Sequence, residues 1–260
     1  MRKKFISTLA FMLANLLSIT GVMADKPRPW QWNFQESVTP VMDSVIDLHT
    51  FVFIVICVIG AFVLGLLFFI LLRFRASKNP SPSTRSHNPT LEIVWTAIPT
   101  LILLVIAVPS FKLLYFMDKT SDPEMTIKIS GNAWFWNYDY VEQEFAFDST
   151  IIPDNELQPG QLRLLSVDNE VVVPVDTNVR LIMTATDVLH SWAIPAFGVK
   201  MDCVPGRLNE TWIRVTKPGL YYGQCSELCG MKHGFMPIAV RAVSKDEYNS
   251  WLTSAKEKYA

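Results

Sequence analysis

Charge is scarce in this chain. Asp, Glu, Lys and Arg make up only 18% of its 260 residues, against 50% hydrophobic ones, and the mean hydropathy is +0.24. That balance is too apolar for an average soluble domain and too polar for a chain lying wholly in lipid, so a part-membrane, part-globular organisation is expected. A basic excess is also missing. The net charge is -1, which argues against a nucleic-acid binder. Of the four cysteines, Cys57 lies in an apolar run and Cys203 stands alone, so there is no disulfide framework. Neither a Cys-x-x-Cys-His haem-attachment motif nor an internal repeat occurs.

The other two cysteines concentrate in one place. The stretch Tyr221-Tyr222-Gly223-Gln224-Cys225-Ser226-Glu227-Leu228-Cys229-Gly230-Met231-Lys232-His233-Gly234-Phe235-Met236 brings two thiols, an imidazole and a thioether into one loop. Such soft-to-borderline ligands select copper or zinc over magnesium or calcium. A mononuclear blue-copper site uses one cysteine, which leaves a thiolate over here. Two facing thiolates can bridge two copper ions, with one histidine closing each side and a thioether and a backbone carbonyl as weak outer ligands. The second histidine must then come from elsewhere. The best candidate is His190, in the strand-like context Asp187-Val188-Leu189-His190-Ser191-Trp192. His49 opens an apolar run and His87 sits in a Pro/Ser-rich basic loop, so they suit an interfacial and a solvated role. Two plainer alternatives stand beside copper. A Cys225–Cys229 disulfide leaves His233 and Met236 unexplained, and closing so short a loop gains little. Structural zinc lacks its usual finger spacing and does not use a thioether.

Along the chain, residues 1–24 have the basic start, apolar middle and small final residue, Ala24, of a secretory signal cleaved after that residue; an uncleaved membrane helix is the alternative. Such a leader suggests a bacterial protein. Residues 25–48 form an outer-face segment whose Trp30 and Trp32 suit a lipid interface or a partner. Residues 49–72 are long and apolar enough to span a bilayer as a first transmembrane helix. Residues 73–92 form a loop with Arg73, Arg75, Lys78 and Arg85, placed in the cytoplasm by the positive-inside bias. A second transmembrane helix covers 93–116, with Pro99 and Pro109 as tolerated kinks. The C-terminal half then lies outside.

From 119 to 243 the pattern changes to short runs of period two, expected as strands at 125–129, 161–165, 179–183, 210–215 and 237–243. Their number and punctuation suit an antiparallel Greek-key β-sandwich. Residues 244–260 hold a terminal helix, amphipathic from Glu247 to Lys258, with Trp251 and Leu252 facing inward. In the aromatic run Trp134-Phe135-Trp136-Asn137-Tyr138-Asp139-Tyr140, alternation places every second ring in the core.

The loop Gly-Gln-Cys-Ser-Glu-Leu-Cys-Gly-x-x-His-x-x-Met resembles the copper A loop of cytochrome c oxidase subunit II. The resemblance extends over most of the chain, through Asp187–Trp192, Pro205-Gly206-Arg207-Leu208-Asn209 and the aromatic run. It implies a membrane-anchored all-β protein: two transmembrane helices followed by a cupredoxin-like Greek-key β-sandwich. It implies a binuclear copper A centre held by His190, Cys225, Cys229, His233 and Met236 through side chains and by Glu227 through its backbone carbonyl. The Glu227 side chain would reach a magnesium ion shared with the catalytic subunit. By the same resemblance Trp134 is the aromatic through which an electron enters from cytochrome c, and Asp139 and Asp187 are donor-docking acids. Glu92, in Glu92-Ile93-Val94-Trp95, is the entrance of a proton path. A snorkelled, solvated carboxylate is the plainer account of Glu92, as simple solvation is of the two aspartates.

The implied activity is electron transfer, as the electron-entry subunit of a proton-translocating oxidase. A haem in the catalytic subunit would receive the electron and reduce dioxygen to water. The implied partners are that catalytic subunit, other oxidase subunits, cytochrome c and the lipid bilayer, and no nucleic acid. The implied location is the bacterial inner membrane, with the copper domain on the periplasmic side. A quinol-oxidase subunit would lack the copper ligands, and nitrous-oxide reductase is a larger soluble enzyme. A membrane-anchored copper-binding or copper-delivery protein is the alternative; it would need exchangeable ligands and has no use for Trp134 or Glu92. Cys203 departs from the family pattern and is expected to be a buried thiol.

Overall fold

The computed structural model describes residues 24–118 and 122–259. The leader expected over residues 1–24 lies outside them except for Ala24, which with Asp25 forms a short strand, β1, paired to Leu220 and Tyr221.

Two long helices follow, α1 (Pro40–Arg73) and α2 (Pro89–Asp118). Both outrun the apolar stretches at 49–72 and 93–116, because capping residues set their starts. The Oγ1 of Thr39 accepts a hydrogen bond from the amide of Met42 at 3.0 Å, with Pro40 in the first helical position. Asn88 caps α2 likewise, its Oδ1 accepting from the Leu91 amide at 3.3 Å just ahead of Pro89. Pro99 and Pro109 remain inside α2. Each helix is long and apolar enough to cross a membrane. Their large apolar side chains stand exposed, Phe62 at 64% and Leu103 at 66%, as befits surfaces meant for lipid or neighbouring helices.

The helical hairpin, residues 43–118, is one compact unit, and the rest of the chain is another. This second unit is a β-sandwich made of β2 (Met125–Asn132), β3 (Phe135–Tyr140), β4 (Phe145–Ser149), β5 (Val171–Pro174), β6 (Val179–Ala185), β7 (His190–Ile194), β8 (Val199–Cys203), β9 (Asn209–Ile213), β10 (Gly219–Cys225) and β11 (Pro237–Val243). One sheet runs β5-β11-β10-β7-β8, with β1 beside β10, and the other runs β4-β3-β2-β6-β9. The sheets are mixed rather than antiparallel throughout. Strand β2 pairs with β6, and β5 with β11, in parallel, because each pair joins strands far apart in sequence by a crossover rather than a hairpin.

The expected strand at 161–165 is absent. Gln161 and Ser166 donate their amides to Gln158 and Leu162 carbonyls, both at 3.0 Å, and Leu164 has a positive φ of 65°, so this segment is a chain of turns. Its alternating leucines imitate a strand, but Leu162 and Leu165 pack on Val167, Tyr222 and Ala239 without a ladder to join. The strand expected over 210–215 stops at Ile213; beyond it, the Val215 carbonyl accepts from the Asp176 amide at 2.8 Å.

The aromatic run alternates as expected. Trp136, Tyr138 and Tyr140 point into the core, while Phe135, Asn137 and Asp139 remain half-buried on the other face. The closing helix α3 (Lys245–Tyr259) starts with a capping box in which Ser244 and Glu247 bond reciprocally, at 3.1 Å and 3.3 Å through the two backbone amides. Trp251 lays its ring 5.4 Å from that of Tyr140, and Leu252 also packs against the core. On the opposite flank the segment before α1 is held to the sandwich. Thr39 donates its hydroxyl to the Phe197 carbonyl at 2.7 Å, and Thr216 donates its amide to the Val38 carbonyl at 2.9 Å. Gly198 makes the close approach possible. Its φ is +69°, and a Cβ there would lie 3.1 Å from the Met42 Cα. Trp30 and Trp32 belong to no core, being 94% and 101% exposed.

Candidate metal centre

Three neighbouring inner strands of one sheet, β7, β10 and β11, bring the donor atoms together. His190 is the first residue of β7 and is fully buried, opposite Cys203 in β8. Cys225 is the last residue of β10, and Met236 immediately precedes β11. The loop between them is closed at its base by the Cys225 amide, which donates to the Met236 carbonyl at 3.2 Å. A second amide, that of Ser226, donates to the Ser191 carbonyl at 2.9 Å, which sets the loop's start against β7. A one-turn 3-10 helix, His233–Phe235, then turns the His233 ring back toward the thiols.

The resulting distances are short. Cys225 and Cys229 sulfurs are 3.9 Å apart, and both thiols are free. Cys225 Sγ lies 3.9 Å from His190 Nδ1 and 3.3 Å from the Glu227 carbonyl oxygen. Cys229 Sγ lies 3.5 Å from His233 Nδ1 and 3.5 Å from Met236 Sδ. Donor atoms of His190, Cys225 and Cys229 all fall within 4.8 Å of one another. Four further donors thus converge on the two sulfurs, two around each. The sulfur separation is far beyond a disulfide bond of about 2 Å. Two thiols and two imidazoles would by themselves suit tetrahedral zinc. The thioether and the carbonyl at the same cluster exceed what zinc needs and match the weak outer ligands of copper.

Burial pushes the Cys229 thiol up to about 12, with the neighbouring Cys225 adding to the shift. The metal-free site therefore holds protons that a metal must displace.

A shell of hydrogen bonds fixes these donors. Trp136 donates its indole N–H to the Met236 carbonyl at 3.3 Å and sets its ring edge-on to His190. Trp134 donates its own to the Cys229 carbonyl at 3.1 Å. It is half-buried against the core rather than a fully exposed indole, since the Cys229–Gly230 backbone lies against it: a Cβ on Gly230, whose φ is +113°, would sit 3.2 Å from the Trp134 ring. Gly131 stands equally close to His190. A Cβ there would meet the imidazole carbons at 2.9 Å, a requirement that nothing in the sequence marks. Asp187 lies with one oxygen 2.9 Å from His190 Nε2 and accepts the Ala133 amide on the other at 2.7 Å. Burial alone would raise this carboxyl, but hydrogen bonds from His190, Val188 and Ala133 outweigh it and hold it below the usual carboxylate range.

The remaining candidate side chains have other surroundings. Asp139 is half-buried on β3 opposite Lys128 and Ala146. Glu227 has a half-buried side chain on the loop. Glu92 sits in the first turn of α2, where its carboxylate faces the Asn88 amide at 3.4 Å and suits the positive helix end. His49 lies on α1, stacked on Phe53, and His87 is exposed in the connecting loop. Cys203 is buried; desolvation pushes its thiol up to about 12, as expected for an inert filler.

Comparison with known proteins agrees with this geometry. Residues 125–243 match the family described as cytochrome C oxidase subunit II, periplasmic domain, and residues 27–113 match the corresponding transmembrane domain. The probable cytochrome c oxidase subunit 2 of Rickettsia prowazekii is 47% identical over 96% of this chain and 79% of its own length. Cytochrome c oxidase subunit 2 of Oenothera berteroana is 50% identical over 92% of this chain and 95% of its own. Among solved structures, the periplasmic domain of subunit II of the cytochrome oxidase of Bradyrhizobium japonicum aligns with a TM-score of 0.51 and 50% identity, covering 55% of this chain and all of that one. With two apolar helices, a sandwich and a His/Cys cluster suited to copper A, this chain belongs to the cytochrome c oxidase subunit II family.

Proposed function

We infer that this membrane protein serves as the electron-entry subunit of a cytochrome c oxidase, taking electrons from reduced cytochrome c and passing them to a haem in the catalytic subunit. The observation that carries this assignment is the convergence of the His190, Cys225, Glu227, Cys229, His233 and Met236 donors. Held by Cys225, Cys229, His190, His233, Met236 and the Glu227 carbonyl, copper would supply one-electron exchange. The protein's part is to hold the donors rigid and dry. Cys225, Cys229 and Met236 are 6%, 5% and 2% exposed, and His190 is fully buried. Such burial argues against a copper-delivery protein, which needs ligands that exchange.

Trp134 is the entry contact for the electron, supported by its partly exposed ring and its hydrogen bond to the Cys229 carbonyl. The exposed apolar side chains of Leu228, Met231 and Phe235 on the same loop supply a desolvatable surface for a partner. Asp139 and Asp187 add negative charge that would steer a basic donor. The Glu227 side chain is available for a magnesium ion at the boundary with the catalytic subunit. Glu92, at the mouth of α2, opens a proton path into that subunit. The basic residues between the helices and the leader-like sequence pattern over residues 1–24 support a copper domain on the periplasmic side of a bacterial inner membrane.

Electron paramagnetic resonance of the copper-loaded full-length chain in detergent tests the central claim. The expected spectrum is one electron shared by two copper nuclei. A single-nucleus spectrum would turn the assignment toward a mononuclear copper or delivery protein, and no copper uptake would remove the electron-transfer role.

A further inference from the structure

The loop from 186 to 190 and the turn from 131 to 134 are fastened together at three points. The Thr186 amide donates to the Gly131 carbonyl at 3.1 Å, and the Thr186 hydroxyl meets the Asn132 side-chain oxygen at 2.5 Å. The third fastening is Asp187. Its Oδ2 accepts the Ala133 amide at 2.7 Å, while its Oδ1 accepts the Val188 amide at 2.6 Å and faces His190 Nε2 at 2.9 Å. An ionised carboxylate only accepts hydrogen bonds, so in the neutral imidazole that a metal requires the proton belongs on Nε2. Nδ1 is thereby left with a bare lone pair, 3.9 Å from the Cys225 sulfur. Among the described residues His233 has no carboxylate partner, so the two imidazoles of the cluster differ in how they are held.

We propose that Asp187 is a positioning residue, whose two oxygens fix the tautomer and tilt of His190 for copper and tie that ligand to the backbone turn that carries Trp134. This rests on His190 being a copper ligand. The role differs from that of a docking acid, because it uses both oxygens inward. Asparagine cannot replace it: with one acceptor oxygen it serves either Ala133 or His190 but not both. Glutamate keeps the charge yet moves it one methylene outward. A carboxylate partner raises the basicity of a metal-bound imidazole, and its loss weakens the binding of the more oxidised metal.

The test uses the assembled oxidase containing full-length Asp187→Asn, Asp187→Glu or Asp139→Asn chains. In Asp187→Asn the reduction equilibrium of the copper site should shift about tenfold toward the reduced form, equivalent to about 59 mV for one electron. Nuclear double resonance should show one altered histidine nitrogen coupling, the other unchanged. Asp187→Glu should shift both readouts in the same sense, whereas Asp139→Asn should shift neither. A wild-type potential and coupling in Asp187→Glu, with Asp187→Asn changing only the salt dependence of cytochrome c oxidation, overturns the proposal and leaves a docking acid. Should Asp187→Asn fail to assemble, the charge-conserving Glu variant alone decides. His190→Gly serves as the control on the ligand itself. A binuclear spectrum surviving in that variant would mean that the ligand assignment, rather than the action of Asp187 upon it, is in error.

Discussion

The indole nitrogen of Trp134 lies 3.1 Å from the carbonyl oxygen of Cys229, so the aromatic on β3's leading turn and the metal loop after β10 form one hydrogen-bonded unit. Replacing Trp134 by Phe keeps a ring but removes the donor, at a cost of about 1 kcal/mol to the loop. Stopped-flow mixing with reduced cytochrome c should show slower electron uptake in Trp134→Phe and slower still in Trp134→Ala, with the copper content of Trp134→Phe unchanged. Uptake at the wild-type rate in both variants would remove Trp134 from the electron route.

Gly131→Ala inserts a methyl group 2.9 Å from three carbons of the His190 side chain. Overpacking of this kind costs about 1–3 kcal/mol. The variant should bind copper more weakly while its circular dichroism stays that of a β-sandwich, a separation that metal titration followed by far-ultraviolet spectra would reveal. Gly223→Ala is harsher. Its Cβ would lie 1.9 Å from the Ala193 carbonyl oxygen, inside the β10–β7 pairing, and the chain should fail to fold.

Copper uptake by the metal-free chain should strengthen as pH rises. The Cys229 thiol, pushed up to about 12 by burial and by Cys225, must lose its proton to bind. Each such proton makes the apparent affinity rise about tenfold per pH unit below that value. Competition against a chelator of known pH behaviour measures the slope, and a flat profile from pH 6 to 8, roughly the neutral range, would contradict it.

Acid should loosen the sandwich through Glu142 and Asp202. Burial raises Glu142, but bonds from the Thr126 amide and hydroxyl outweigh it and hold it low; a bond with Ser191 lowers Asp202 against its burial, helped by Lys200. Both groups have folded values depressed below their unfolded ones. Their contribution is therefore present above the usual carboxylate range of roughly 4 and lost as pH falls through the folded values. Thermal melts at falling pH should show a declining Tm, and the decline should be shallower in Glu142→Gln.

Much of this was legible in one dimension because the signals are local. Uninterrupted apolar runs announce membrane helices whatever surrounds them, and the Pro237–Val243 run is the strand β11 without adjustment. Cys225, Cys229, His233 and Met236 share one short loop, so their spacing alone marks a soft-metal site. Residues 161–165 misled because alternation over five positions reports where leucines face and not whether a neighbouring strand exists to pair with them.

The sequence by itself determined the two apolar helices, the period-two strands, the inward alternation of Trp136, Tyr138 and Tyr140, and the donor types of the metal loop. These follow from side-chain chemistry read at intervals of a few residues. Only the tertiary structure decided that His190 meets Cys225 with Nδ1 while Nε2 faces Asp187, that Trp134 is bonded to the loop rather than free, and that Gly131 must lack a side chain. Those relations join β2 and the turn after it with β7 and β10 across two sheets. Contacts between residues so far apart in the chain arise from strand pairing and packing, and no local pattern carries them.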